Sequence, residues 1–330
     1  MSNQSSPADH FANRFFRSIP HMNETGIRLG PMEAGKVTLV LPARKDWLGD
    51  PQRGLLHPGP LTVLADSACG AAVGVTLDRV QPYATLDLRM DLLRPAGPDR
   101  DVSCTAECFR LTRNIAFTRA TLRQAGDDAP IATALATFMR GTSNRRSAGG
   151  GTPAGAAGAG APASTSASAA ALPEADSGRP APDGKGLVWQ PPAASEPIAL
   201  GRQVPYIDYL GMNASRTQDG TRLYRLPFAE KLVGNPVLPA LHGGVIAAFA
   251  QTAAILGLIE ALPEPRLPKA IDFSIDYLRS GRPRETFARC EIVRVGSRVA
   301  LVQVWCWQTS PAEPIALTRG HFLLGEAEPQ

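Results

Sequence analysis

The sequence predicts an α+β protein built twice: two copies of one domain, each an antiparallel sheet wrapped around a single long buried helix. Three observations predict it. A low-complexity segment divides the chain into halves of similar length, the halves repeat each other in register, and each half carries one helix-length stretch that is apolar nearly all the way round.

The divider runs from residue 143 to residue 196, where the composition shifts to Ala, Gly, Pro and Ser, as in GGGTPAGAAGAGAPASTSASAAA. Such a segment has no large apolar side chains to offset its ordering entropy, so a disordered linker is expected. A structureless stretch of this length does not belong inside one compact domain. It leaves residues 1–142, with a flexible N-terminal tail, as the first domain and 197–330 as the second.

The repeat is read block by block. Val204-Pro205-Tyr206 lies over Ile19-Pro20-His21, LHGGVIAAFAQTA from Leu241 over LHPGPLTVLADSA from Leu56, and IDFSIDYLR from Ile271 over LDLRMDLLR from Leu86, all at one offset of 185 residues. After a one-residue deletion the offset is 184, so that Arg294 meets Arg110, Ala300 meets Ala116 and Gly325 meets Gly141. Chance similarity does not keep register over a whole domain; this is a duplication.

Each copy is expected to begin with a strand, KVTLVLP (Lys36–Pro42) or TRLYRLPF (Thr221–Phe228). A turn and a long helix follow, Pro60–Asp78 or Gly243–Leu262, and then several alternating strands such as VSCTAECFRL and VALVQVWCWQ. The helices lack a polar face, so each must be covered on most sides, as a sheet curling around one helix would do.

Composition narrows the function. A net charge of +4 suits a polyanionic small ligand but is too weak and scattered for nucleic acid. Met1–Phe16 lacks a basic segment followed by an apolar run, so no signal peptide is expected. The apolar run Val245–Leu262 is broken by Gln251 and Glu260 and is marginal in length for a membrane span, so no membrane partner is expected. Five cysteines without C-x-x-C spacing argue for a reducing, cytoplasmic setting. Cys104 and Cys108 have no nearby His to complete a metal set, and no cofactor is called for.

His-Gly-Gly at the start of a buried helix, an acid further along it, and Thr before a Leu-x-Pro strand ending together resemble the hotdog-fold acyl-CoA thioesterases of the phenylacetate-degradation (PaaI-like) type. The resemblance covers both halves, leaving out the N-terminal tail and the linker. Its matches are Asn235, His242, Gly243 and Gly244 in the second half, and His57, Gly59, Asp66, Thr85 and Leu93-Arg94-Pro95 in the first. It implies a tandem hotdog fold and hydrolysis of an acyl-CoA thioester. The copies depart from the pattern at different points: Pro58 replaces the first Gly and Asp50 the Asn in the first half, Gln251 replaces the Asp and Ala270 the Thr in the second.

Helix geometry decides how the residues combine. Thioester hydrolysis needs a donor aimed at the developing oxyanion and a carboxylate that attacks or activates water. The first N–H groups of a helix supply such donors. Gly243 can offer one and Pro58, which has no N–H, cannot. Eight residues of helix span roughly 12 Å, whereas reacting groups lie about 3 Å apart. The acid therefore serves the N-terminus of the other copy's helix. Asp66 and Thr85 are expected to meet Asn235, His242 and Gly243, while His57, Pro58, Gln251 and Ala270 form a degenerate reciprocal site. Loss of one oxyanion donor alone costs about 3 kcal/mol of transition-state stabilisation.

In the working site Asp66 is nucleophile or general base, Gly243 polarises the carbonyl, Asn235 is a second donor or a turn former, His242 lies near the leaving sulfur or braces the turn, and Thr85 orients the water. Gly244, Arg113 and Arg298 are candidates for substrate binding, the arginines through coenzyme A phosphates. Asp87, Asp91, Asp272 and Asp276 are assigned to a solvated sheet face, and His321 to an ordinary strand position. Two other readings stay open: an acyl-CoA hydratase or dehydratase of the same fold, and a non-catalytic acyl-CoA-binding module. The halves are expected to form an intramolecular pseudo-dimer, with further self-association through the sheets conceivable.

Overall fold

Proline opens each half of the folded chain, for a local reason: its fixed φ suits a first helical turn, and its missing N–H is not needed there. The computed structural model describes residues 18–33, 35–77, 81–141, 189–192, 194–198, 204–235 and 239–325. In the first half α1 (Pro20–Thr25) ends on Gly26 at a left-handed φ of 69°. Then come β1 (Arg28–Glu33), β2 (Lys36–Leu41), the short pair β3 (Leu48–Asp50) and β4 (Leu55–Leu56), and the long helix α2 (Pro58–Thr76). Strands β5 (Tyr83–Leu92), β6 (Val102–Leu111), β7 (Ile115–Gln124) and β8 (Ala132–Arg140) complete it.

The second half repeats the order after an added strand. It runs β9 (Glu196–Pro197), α3 (Pro205–Leu210), β10 (Asn213–Arg216), β11 (Arg222–Leu226), β12 (Val233–Asn235), β13 (Ala240–Leu241) and α4 (Gly243–Ala261). Strands β14 (Lys269–Tyr277), β15 (Thr286–Val295), β16 (Val299–Trp307) and β17 (Ala316–Leu323) close it. Each half thus begins with a short helix where the sequence suggested a strand, and α2 starts two residues earlier than expected, at Pro58.

Among the described residues, thirteen strands form one antiparallel sheet in the order β1-β2-β6-β7-β8-β5-β14-β17-β16-β15-β11-β10-β9. This is the tandem hotdog arrangement, with β5 and β14 hydrogen-bonded to each other where the halves meet. In that seam Asp87 faces Asp276 and Asp91 faces Asp272, so the repeated aspartates are two-fold mates across the join. Arg89 bonds Asp91 at 3.0 Å and His321 bonds Asp272 at 3.0 Å; His321 is therefore a hydrogen-bond partner of the seam and not an ordinary strand residue.

Helices α2 and α4 lie against each other on the inner side of the sheet. α4 is long and apolar enough to cross a membrane, but 83% of that window is buried inside the protein, so its hydrophobicity is that of a core helix. Residues 143–188 of the expected linker lie outside the described residues. The end of that span carries structure. Trp189 packs edge-on against Phe287 and Trp307, with ring centroids 5.0 and 5.7 Å away, and Glu196 pairs with Ala214. Composition alone hid this, because one tryptophan outweighs many small residues in anchoring a chain.

Candidate active site

The geometry begins at the two helix N-termini. His57 caps α2 and His242 caps α4, each imidazole accepting through Nδ1 the backbone N–H two residues on, at 2.9 Å (Gly59) and 3.0 Å (Gly244). An Nδ1 that accepts leaves the proton on Nε2, so both are neutral Nε2–H imidazoles. Burial pushes their pKa values down, to about 3 for His57 and about 4 for His242. The Nε2 of His242 lies 3.3 Å from Ser67 Oγ, whose own proton goes to the Val63 carbonyl at 2.6 Å.

Asp66 sits two turns into α2, 5% exposed, directly beside the opening of α4. Its Oδ2 accepts the Gly244 N–H at 2.7 Å and its Oδ1 accepts the Thr85 hydroxyl at 3.0 Å. The Gly244 N–H is thus shared between Asp66 and His242 Nδ1, and the 3.4 Å between those two acceptors is not an ion pair. Burial raises the Asp66 pKa from 3.8 to about 6, and the bonds from Thr85 and Gly244 hold it from going higher. Gly244, considered as a substrate contact, has its N–H committed to Asp66 and His242.

Gly243, the first residue of α4, has an N–H with no intrahelical acceptor by position. A Cβ there would stand 3.0 Å from Asp66 Oδ2 and 3.4 Å from the Tyr277 hydroxyl, so only glycine leaves this side of the backbone open to the carboxylate. Thr85 reaches Asp66 because of a bulge in β5. The ladder slips between Thr85 and Asp87, which turns Thr85 to the helix side along with Leu88 and Met90. Asn235 ends β12; the preceding residue, Gly234, packs so tightly on the cap that an added Cβ would lie 2.5 Å from His242 Cα. The structure therefore gathers Asp66, Thr85, His242 and Gly243 from the two halves, with the Asn235 strand alongside.

Two further residues belong to this cluster and were not singled out in the sequence. Tyr277, at the end of β14, donates its hydroxyl to the Gly243 carbonyl at 2.7 Å. His21 of α1 reaches across the halves to the Lys231 carbonyl through Nδ1 at 2.8 Å, and its ring lies 5.2 Å from that of His242. That bond puts the proton on Nδ1, and burial lowers its pKa to about 3. A groove of about 780 Å³ lies beside α1, lined by Pro20, Asn23, Glu24, Phe228, Lys231 and Val233 among others and by none of the cluster's own residues.

The reciprocal position has different neighbours. The Tyr206 ring stacks on His57 at 4.7 Å, and a Cβ on Gly59 would lie 2.4 Å from it. Trp47 and Tyr209 pack at 4.9 Å beside it, with the Arg44 guanidinium over Trp47 at 4.6 Å. Gln251, fully buried, accepts from Thr62 at 3.1 Å, and Ala270, opposite Thr85 in the repeat, offers no hydroxyl. Pro58 occupies the first helical position. Arg113 and Arg298 stand exposed in hairpin turns, and no hydrogen bond or ion pair joins either to the cluster among the described residues.

Comparisons agree with this architecture. A family profile described as the thioesterase superfamily matches residues 238–315, and one described as the acyl-CoA thioesterase N-terminal domain matches residues 44–139. A provisionally named esterase of Halobacterium salinarum is 34% identical over 124 residues, 35% of this chain and 82% of that protein. The medium/long-chain acyl-CoA thioesterase YigI of Escherichia coli is 31% identical over 114 residues, 31% of this chain and 74% of that one. A hot dog fold protein of unknown function from Alicyclobacillus acidocaldarius superposes with a TM-score of 0.54 at 14% identity, covering 93% of this chain and 98% of that structure. The last likeness speaks for the fold alone.

Proposed function

The chain belongs to the thioesterase superfamily, and on that premise we propose that it hydrolyses acyl-CoA thioesters at one composite site, Asp66 from the first half acting against the His242–Gly243 turn of the second. The observation that carries the reading is the 2.7 Å bond from Gly244 N–H to Asp66 Oδ2, which sets a buried carboxylate at the opening of the partner helix. A thioester carbonyl brought to the bare side of Gly243 meets an N–H donor and the positive end of a helix dipole. Asp66, ionised above about pH 6, then attacks the carbonyl carbon or takes a proton from an attacking water. Where Asp66 attacks, an acyl–Asp66 anhydride forms as the C–S bond breaks, and water then cleaves it. Where water attacks, the tetrahedral intermediate collapses with loss of the thiolate. In either case the thiolate takes up a proton, so the products are a carboxylic acid and the coenzyme A thiol.

The other residues divide the remaining work. Thr85 fixes Oδ1, so Oδ2 is the oxygen turned toward Gly243. The His242 Nε2–H is a neutral donor near the leaving sulfur, and the groove beside α1 is the substrate's way in. The reciprocal position, where Pro58 has no N–H to give and Gln251 stands in place of the acid, contributes no turnover.

The test is thiol release from acetyl-, octanoyl- and palmitoyl-CoA by the full chain. Wild type is expected to release thiol from at least one of the three. Asp66→Asn is expected to lower kcat by about 10² or more, the scale of removing an essential acid–base group. Release that survives the substitution would take Asp66 out of the mechanism.

A further inference from the structure

Tyr277 is the residue of the cluster for which the proposed chemistry has given no role. It stands at the end of β14 on the helix side of the sheet, in line with the buried Phe273 and Ile275. Its hydroxyl donates to the Gly243 carbonyl at 2.7 Å. That carbonyl belongs to the same peptide unit as the Gly244 N–H, which Asp66 Oδ2 accepts at 2.7 Å. One rigid peptide plane is therefore held at both ends, its oxygen by the phenol of β14 and its N–H by the carboxylate of α2.

The arrangement is confined to one copy. Leu92 occupies the matching position in the first half, toward the reciprocal site where Pro58 and Gln251 replace the glycine and the acid, so the hydroxyl occurs beside the helix that opens on Gly243. On Gly243 the carboxylate and the phenol approach the same side of the backbone, 3.0 Å and 3.4 Å from where a Cβ would be. We propose that Tyr277 is a positioning residue: by fixing the Gly243–Gly244 peptide it holds Asp66 in register with the Gly243 N–H and strengthens the N–H bond that favours the ionised carboxylate. The inference rests on the hydrolase reading for its effect on rate, but not for its effect on the Asp66 carboxyl.

The physics gives both effects a direction. A carbonyl that accepts a hydrogen bond polarises its amide, so its N–H becomes a better donor, by about 10–30% per bond. A stronger bond to the ionised form lowers a carboxyl pKa. Burial and the neighbouring Asp66 charge push the Tyr277 pKa far up, so the hydroxyl remains a donor throughout any assay range. The Gly243 carbonyl is also reached by the helix's own N–H four residues on, so removing the phenol leaves it bonded and the fold intact.

The experiment compares wild type, Tyr277→Phe, Tyr277→Leu, Asp66→Asn and the double variant Tyr277→Phe/Asp66→Asn. Two readouts are taken: kcat and KM across pH on the three acyl-CoA substrates, and titration of the Asp66 carboxyl by carbon-13 NMR. Tyr277→Phe is expected to lower kcat about tenfold with KM changed less than twofold. The acid limb of kcat and the Asp66 titration should both move up by about half a pH unit. The double variant should be no slower than Asp66→Asn alone, because the phenol acts through the acid. An Asp66 titration unmoved in both Tyr277 variants overturns the inference, as does unchanged kcat in an active enzyme. A wild type inactive on every substrate sinks the hydrolase reading instead, and the titration still decides the role of Tyr277. Both pH midpoints are independent of how much of a variant is folded.

Discussion

A buried carboxylate is an unstable choice, and Asp66 carries the consequence in its own titration. Its pKa rises from 3.8 in an ordinary setting to about 6 in the folded chain. The folded state then holds the proton more tightly than the unfolded state between those values, so stability falls as pH rises through that window. The penalty is complete above about pH 6 and amounts to about 2–3 kcal/mol. Asn at position 66 can still accept from Gly244 and turn its amide to Thr85. Asp66→Asn should therefore melt several degrees above wild type at pH 8, and the gap should close as pH falls toward 4, as read by calorimetry. His21 and His57, which make no hydrogen bond to Asp66, cancel in the comparison.

Gly243 gives a second residue-scale expectation. Gly243→Ala would put a methyl 3.0 Å from Asp66 Oδ2, on the face a thioester must use. Thiol release should fall at least tenfold while the melting temperature changes by only a few degrees. Equal rates in the two proteins would remove that face from the reaction. Much of this was legible in the sequence. A helix rise of 1.5 Å per residue is enough to send the acid to the other copy's helix opening. Tyr277 and His21 were not legible, because their partners are a carbonyl 34 residues away and one 210 residues away, and nothing in a strand ending or a Pro-His pair announces such a bond.

At the scale of elements, the departures between sequence and structure have one kind of cause. The bulge in β5 turns Thr85 inward and no alternation pattern foretells it, since one inserted residue resets the face of all that follow. The segment from Trp189 to Ile198 is another case. Phe287, Trp305 and Trp307 form an apolar patch on the outer face of the second half's sheet, and Trp189 lies on it. The matching positions in the first half are Ser103, Thr121 and Arg123, which need no cover. Trp189→Ala should lower stability by about 1–3 kcal/mol, a few degrees in melting temperature. Because the patch faces away from Asp66, kcat should stay within twofold; a large loss of kcat with an unchanged melting point would contradict this account.

Across the whole molecule, the duplication was readable from register, and the tandem fold from the buried helices together with the resemblance that His242, Gly243, Gly244 and Asp66 carry. What register could not convey is how unequal the copies have become. In the β5–β14 seam like charges meet directly, Asp87 on Asp276 and Asp91 on Asp272, an arrangement that is unfavourable in itself. The Asp276 carboxyl is accordingly pushed up by burial and by Asp87. The outer pair is relieved by hydrogen bonds from Arg89 and His321, and the inner pair in part by the nearby Arg319. Around that axis the two helix openings differ in their side chains, Gly243 with Asp66 at one and Pro58 with Gln251 at the other, so two-fold symmetry persists in the backbone while the residues diverge.

That both contributors to the site lie on a single polypeptide has a genetic corollary. A symmetric homodimer damaged in the acid on one subunit and in the helix opening on the other can regain a working site by mixing. On the proposed reading each molecule closes its own site, so a strain expressing one allele with Asp66→Asn and another with Gly243→Ala should remain as deficient as either parent. Recovery of activity on co-expression would mean that halves are exchanged between chains.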